Sequence, residues 1–190
     1  LSKVVFRPHF ATISSMKKPS RYSRIQLRPV SGNIGAVVSG VDLRSLDEED
    51  FAEIHRALLE NEVLFFPGSN LDDDSQMALA HRFGNPSVFP LLKLMGETGP
   101  TFQVIEDGPD SPNEANYWHT DVTWTQEPPK IALLRAGVVP ESGGDTMWGS
   151  MTTAYDALSP VMQEMLAGLE AVHDNQSFIE AVNRKMGDTD

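Results

Sequence analysis

The apolar residues of this chain come in short runs. Val63-Leu64-Phe65-Phe66 is among the longest, and it ends at Pro67-Gly68. A helix that crosses a bilayer needs about 20 consecutive apolar residues, so runs of this length are far too short to span one. They are typical of buried strands and of the apolar faces of amphipathic helices. We therefore expect an α+β protein made of short elements, with no membrane partner.

The composition narrows the classes of function. A chain of 190 residues can bury a core, and a hydrophobic content of 40% argues against disorder over its whole length. Because cysteine is absent, disulfides, thiolate metal sites and cysteine nucleophiles are excluded. The net charge of -12 would repel a nucleic-acid backbone. We expect a cytoplasmic protein without a nucleic-acid partner, whose chemistry comes from the remaining polar residues or from a cofactor.

The N-terminal part differs in charge from the rest. No acidic residue precedes Asp42, although seven basic residues do. A transit peptide has this character, but Met16-Lys17-Lys18 resembles a natural start and Leu1 is not an initiator methionine. We expect residues 1–23 to be an N-terminal extension that is disordered or not native. Residues 24–190 then form the domain.

The first half of the predicted domain shows alternating and helical patterns. Ile25, Leu27 and Val37-Val38 surround a turn at Ser31-Gly32-Asn33, which predicts two short strands. Helical spacing predicts a helix over about 47–61, opened by a capping box of Ser45 and Glu48. Three further elements follow: a buried strand over 62–67, a helix capped by Asp72 to Asp74 that ends at Gly84, and a strand-like segment at 101–105.

The second half combines predicted strands with short helices. Strand patterns occur at 117–124, 130–138 and 145–148. The helical predictions are a helix at about 151–158, one opened by Ser159 and Pro160 and closed at Gly168, and one opened by a capping box of Ser177 and Glu180. The strands are too few to close a barrel or sandwich, so we expect the fold to be incomplete in this chain.

The segment from Tyr117 to Trp124 carries the most informative polar pair. On a strand, residues i and i+2 point to the same face, so His119 and Asp121 would project together. One imidazole and one carboxylate form two thirds of the facial triad that binds non-haem Fe(II) and leaves positions open for other ligands. Alone, a His-x-Asp pair is a weak signal, since short motifs often match by chance.

A series of motifs surrounds this pair in a fixed order. They are Ser39-Gly40-Val41-Asp42-Leu43, Val63-Leu64-Phe65-Phe66-Pro67-Gly68, Phe83-Gly84, Trp118-His119-Thr120-Asp121-Val122-Thr123, Pro128-Pro129, Gly143-Gly144-Asp145-Thr146-Met147-Trp148, Gly168-Leu169 and Ala171-Val172-His173-Asp174. In order and spacing they resemble the taurine dioxygenase (TauD/TfdA) family over about residues 24–176. The resemblance implies the N-terminal portion of an Fe(II)- and 2-oxoglutarate-dependent dioxygenase. It also implies a double-stranded β-helix (jelly-roll) core with flanking helices.

The resemblance assigns roles residue by residue. His119 and Asp121 match the first two iron ligands and are the expected catalytic residues, and Thr146 matches a threonine that helps to hold 2-oxoglutarate. The family's third ligand, a His, and its 2-oxoglutarate-binding Arg match no position of this chain, and His173 matches a position that is not a ligand. The expected partners are dioxygen and a small organic acid of the sulfonate, alkyl sulfate or aryloxyalkanoate class, with a homo-oligomer as the assembly.

Two other interpretations stay open at this point. A domain of this family without the third ligand could be a non-catalytic binding domain or remnant, because metal affinity depends on the number of ligands. A zinc hydrolase would need a nearby carboxylate base, for which Glu114 is the one close candidate. The substrate pocket also departs from the taurine enzyme, with Phe89-Pro90-Leu91-Leu92 in the loop after Phe83-Gly84 and Ala115 four residues before His119, in place of polar residues. This difference favours a substrate other than taurine.

Overall fold

The computed structural model describes residues 21–94, 96, 98–99, 102–106, 108, 117–176 and 179–180. Within them the chain forms a three-stranded sheet and five helices. In chain order the elements are β1 (Gln26–Pro29), β2 (Ala36–Ser39), α1 (Glu48–Asn61), β3 (Leu64–Phe65), α2 (Asp73–Phe83), α3 (Pro90–Leu94), α4 (Met151–Asp156) and α5 (Pro160–Leu166). Most of the predicted extension and the capping box at Ser177 lie outside the described residues.

The sheet is mixed, with β2 in the centre. β1 runs antiparallel to β2, and Gln26 lies opposite Ser39. β3 runs parallel to β2, because α1 carries the chain back across the sheet before Ala36 pairs with Leu64. The hairpin at Ser31-Gly32-Asn33 is therefore confirmed. The predicted strand at 62–67 is confirmed only as the two residues of β3.

Helix α1 begins one residue later than predicted, and a different residue caps it. The prediction of a Ser45–Glu48 capping box was wrong, since Asp47 is the N-cap. Its Oδ1 accepts the backbone N–H of Asp50 at 2.8 Å, and the Asp50 carboxylate accepts the backbone N–H of Asp47 at 3.3 Å. A carboxylate gains more than a hydroxyl from the positive end of the helix dipole, and the backbone N–H of Ser45 instead closes a turn on the carbonyl of Asp42.

The starts of α2 and α5 agree with the sequence prediction, whereas α3 was not predicted and α4 and α5 end before the predicted 158 and Gly168. Asp72 caps α2 through a capping box with Ser75, and Gly84 follows its last residue, as predicted. Ser159 caps α5, and Pro160 occupies its first turn. None of the described helices combines the length and the apolar character that crossing a membrane requires.

The described core lies between α1, α2 and the sheet. Its buried residues are Ile25, Val38, Leu43, Ile54, Ala57 and Leu79. Beside this core, the backbone at Gly35 lies close to the Phe65 ring. A Cβ atom at this position would lie 3.3 Å from Cε2 of Phe65. Helices α4 and α5, in contrast, bury none of their described residues.

The strands predicted at 117–124, 130–138 and 145–148 are absent from the described residues, and 102–106 is also irregular. A strand needs the hydrogen-bond ladder of a neighbour, which none of these segments has here. Segment 130–138 instead contacts α2, because Nε2 of Gln76 in that helix donates to the carbonyl of Leu133 at 3.3 Å. The described residues therefore contain a small mixed sheet with helices, not the jelly-roll core that the resemblance implies.

Candidate functional site

The segment with His119 and Asp121 leads into a turn, which corrects the predicted strand. Residues 121–124 form the turn, and its closing contacts are the backbone N–H and Oγ1 of Thr125, which donate to the carbonyl of Val122 at 3.3 and 3.0 Å. Val122 has φ of 52°, in the left-handed region that a β-branched residue rarely enters. The chain therefore reverses immediately after Asp121 instead of continuing as a strand.

The two predicted ligands lie together where the chain enters the turn. Nε2 of His119 lies 3.3 Å from Oδ1 of Asp121. The two side chains are 41% and 61% exposed, so the pair opens to solvent on the described surface. Sequence reasoning expected the two groups side by side because of strand alternation, and they do lie side by side, although the segment is not a strand.

A backbone carbonyl orients the imidazole. Nδ1 of His119 lies 3.0 Å from the carbonyl oxygen of Tyr117. A carbonyl only accepts, so this contact is a hydrogen bond in the tautomer with the proton on Nδ1, and in that neutral ring Nε2 has a free lone pair. Histidines that bind metals typically donate their other ring N–H to such a partner. Sequence reasoning missed the contact between His119 and the Tyr117 carbonyl. The sequence signal that could have suggested it is that Tyr117 lies two residues before His119.

The donor set fits a divalent cation. In the neutral form, the Nε2 lone pair and the Asp121 carboxylate are two acceptors that face each other at 3.3 Å, an arrangement that a shared proton or cation stabilises. Nitrogen and oxygen ligands lie about 2.0–2.2 Å from a bound metal, so neighbouring ligands of one cation are about 3 Å apart. The separation of the pair therefore suits joint coordination.

Two donors alone do not make a closed metal site. Among the residues that the structure describes, no group of three or more His, Asp or Glu side chains could hold a metal ion. Glu114, the candidate base of a zinc hydrolase, and Ala115, four residues before His119, lie outside the described residues. Phe89 and Leu92 flank the start of α3, which begins at Pro90.

Thr146 lies in an exposed segment without regular secondary structure. Two residues later, the ring of Trp148 meets the ring of Phe65 on β3 edge to face, with centroids 5.3 Å apart. Oγ of Ser150 donates to Oε1 of Glu62 at 2.9 Å. The sheet therefore holds the chain just after Thr146, a contact that the sequence pattern did not reveal.

The same segment contacts the residue before His119. A Cβ atom on Gly149 would lie 3.7 Å from Cζ3 of Trp118, so the indole lies close to the Gly149 backbone. Trp118 precedes His119 directly, and Thr146 lies three residues before Gly149. Both predicted site segments therefore meet at residues 148–150.

Comparison with known protein families matches residues 26–188 to the taurine catabolism dioxygenase TauD, TfdA family. The chain belongs to this family. The resemblance that the sequence motifs indicate is therefore confirmed, and the match extends over most of the chain. The family is one of α-ketoglutarate (2-oxoglutarate)-dependent dioxygenases.

Individual members of the TauD, TfdA family show the same relationship. The chain is 41% identical over 157 residues to an alkylsulfatase of Acinetobacter baylyi, covering 80% of this chain and 48% of that protein. It is 39% identical over 154 residues to an α-ketoglutarate-dependent sulfate ester dioxygenase of Pseudomonas putida, covering 80% and 50%. A taurine dioxygenase structure from Burkholderia xenovorans aligns with a TM-score of 0.61 at 32% identity, covering 77% and 52%. The chain spans about half the length of these relatives.

Proposed function

We propose that the chain supplies the Fe(II) ligands His119 and Asp121 and the 2-oxoglutarate contact Thr146 of a dioxygenase that acts on a small organic acid. The His119–Asp121 pair carries this proposal. Its atoms lie 3.3 Å apart, and the carbonyl of Tyr117 leaves Nε2 available as a ligand. A histidine and a carboxylate are the donor types of the non-haem Fe(II) facial triad.

Each residue has a distinct part in this function. Nε2 of His119 and the carboxylate of Asp121 would hold Fe(II), and the Tyr117 carbonyl keeps the imidazole proton on Nδ1. The Thr146 hydroxyl would donate a hydrogen bond to a carboxylate of 2-oxoglutarate. Bound Fe(II) with 2-oxoglutarate supplies the oxidation, in which dioxygen gives one oxygen atom to the substrate and one to succinate while CO2 leaves.

Within the organic acids, we propose an alkyl sulfate ester as the substrate. The relatives at 41% and 39% identity are named for sulfate esters, and the apolar Phe89 and Leu92 suit an alkyl chain better than the ammonium group of taurine. Hydroxylation of the carbon next to the ester oxygen gives a product whose C–O bond to sulfate breaks as the hydroxyl loses its proton. An alkyl sulfate, 2-oxoglutarate and dioxygen then become an aldehyde, sulfate, succinate and CO2.

The alternative is a non-catalytic binding domain of the same family. The incomplete ligand set among the described residues favours it, because each lost ligand lowers metal affinity. This alternative predicts a folded protein without tight metal binding.

A metal titration of the chain separates the two. We expect anaerobic calorimetry with Fe(II) to give one site per chain, weakened at least tenfold in His119→Ala and in Asp121→Ala. His173→Ala is the matched control, since it removes an exposed histidine that the motifs do not assign as a ligand. Absence of Fe(II) binding would favour the non-catalytic domain.

Turnover then tests the substrate. Release of sulfate and succinate from an alkyl sulfate, but not of sulfite from taurine, is the expected result for the protein supplied with Fe(II), 2-oxoglutarate and oxygen. Succinate formation that depends on taurine alone would contradict the sulfate ester proposal while leaving the dioxygenase proposal in place.

A further inference from the structure

Residues 148–150 form a junction between the sheet and both candidate site segments, and we define them as the anchor segment. Trp148 meets Phe65 of β3 edge to face at 5.3 Å, with an angle of 77° between the rings. Ser150 donates to Glu62, which directly follows the last residue of α1, at 2.9 Å. The anchor segment is thus attached to the sheet layer by one aromatic contact and one hydrogen bond to a carboxylate.

Each attachment is itself held in place. Phe65 lies opposite Val37 in the sheet and packs beside Gly35, where the backbone has φ of 87° and no side chain could be added without a close contact. Oγ of Ser150 also accepts the backbone N–H of Thr153 at 3.0 Å as the N-cap of α4. The position of Trp148 is therefore set by groups far from it in sequence.

The anchor segment is adjacent to both predicted parts of the site, the 2-oxoglutarate contact and the metal ligands. Thr146 lies two residues before Trp148, and the Trp118 indole lies against the backbone of Gly149 beside His119. A movement of Trp148 would shift the threonine hydroxyl relative to the His119–Asp121 pair. Misplacement of a binding group by about 1 Å is enough to lose much of its contribution.

We propose that Trp148 is a positioning residue for the 2-oxoglutarate contact, acting through Thr146 by its edge-to-face contact with Phe65. This inference rests on the proposed function. Trp148 is 43% exposed, so it is not simply a member of the buried core. In this proposal Trp148 contacts neither the metal nor 2-oxoglutarate. It acts only by fixing the position of the Thr146 hydroxyl.

The test measures two affinities by calorimetry on the full chain: Mn(II) alone, and 2-oxoglutarate on the Mn(II)-loaded protein. We expect Trp148→Ala to weaken 2-oxoglutarate binding about tenfold and Mn(II) binding less than threefold. Trp148→Phe, which keeps an aromatic edge, should restore most of the loss. Met147→Ala is the control, because it alters a neighbouring side chain that is 73% exposed.

A double substitution identifies the route of the effect. Thr146→Val should weaken 2-oxoglutarate binding by itself, and adding Trp148→Ala should cause little further loss if Trp148 acts through Thr146. Additive losses, or a parallel loss of Mn(II) affinity that Trp148→Phe does not rescue, would overturn the positioning role.

The remaining outcomes separate this inference from the proposed function. If Thr146→Val weakens 2-oxoglutarate binding and Trp148→Ala does not, the positioning role is wrong and the proposed function stands. If the unaltered chain binds neither Mn(II) nor 2-oxoglutarate, both are wrong.

Discussion

Glu53 of α1 holds Ser23 through a single oxygen atom. Its Oε1 accepts the backbone N–H of Ser23 at 2.8 Å and the Ser23 hydroxyl at 3.0 Å. Its Oε2 accepts the backbone N–H groups of Arg24 and Ile25 at 2.9 and 3.2 Å. One carboxylate therefore fixes the segment that leads into β1, and Ser23 packs against α1 although it precedes the predicted domain start at residue 24.

These hydrogen bonds predict a pH dependence. Burial opposes the charge of Glu53, but the backbone N–H groups outweigh it and lower the pKa of this carboxyl from 4.5 to about 2. Since the folded pKa is the lower one, the stabilisation is fully present above about pH 4.5 and is lost as the pH falls towards 2. Glu53→Gln should lower the free energy of unfolding by about 1–3 kcal/mol at pH 7. Urea unfolding at pH 7 and pH 3 should show a smaller difference at pH 3, and a constant difference would contradict the prediction.

The N-cap of α1 predicts that substitutions of Asp47 and Ser45 change the free energy of unfolding by different amounts. Asp47→Ala should lower the free energy of unfolding by about 1 kcal/mol, because it removes the N-cap acceptor of α1. Ser45→Ala should change it by less than about 0.5 kcal/mol, since the contact of Ser45 is made by its backbone. Chemical denaturation of both variants measures this, and equal losses would favour the cap predicted from sequence.

Gly35 and Gly32 form a matched pair for substitution. Gly35→Ala should destabilise by about 1–2 kcal/mol, because alanine is strained at φ of 87° and its Cβ would lie 3.3 Å from Phe65. Gly32 has no heavy atom within 4 Å of a Cβ, so Gly32→Ala should change stability by less than about 0.5 kcal/mol. Thermal unfolding compares them, and the reverse order would refute the close approach at Gly35.

The contact between Phe65 and Trp148 should appear as an interaction energy. In a double-mutant cycle with Phe65→Leu and Trp148→Leu, we expect a coupling of about 0.5–1.5 kcal/mol, typical of edge-to-face aromatic pairs. Urea denaturation of the four proteins measures it. A coupling near zero would mean that the anchor segment does not depend on this contact in solution.

The sequence predicted what depends on neighbouring residues. The hairpin around Ser31, the Asp72 cap of α2 and the Ser159-Pro160 start of α5 were predicted because each depends on groups within a few positions. The motifs around His119 and Asp121 likewise identified the family. Where two local signals competed, as at Ser45 and Asp47, the pattern alone did not decide between them.

The tertiary structure decided what depends on distant partners. Alternation at 117–124 indicated a strand, but without a neighbouring ladder the chain turns at Val122, directly after the adjacent His119 and Asp121 side chains. The attachment of Ser150 to Glu62 joins residues 88 positions apart, which no local pattern encodes. The sequence by itself identified the family and the starts of α2 and α5. Only the folded chain determined that Trp118 meets Gly149 and that Ser150 meets Glu62, because these contacts join segments far apart in sequence.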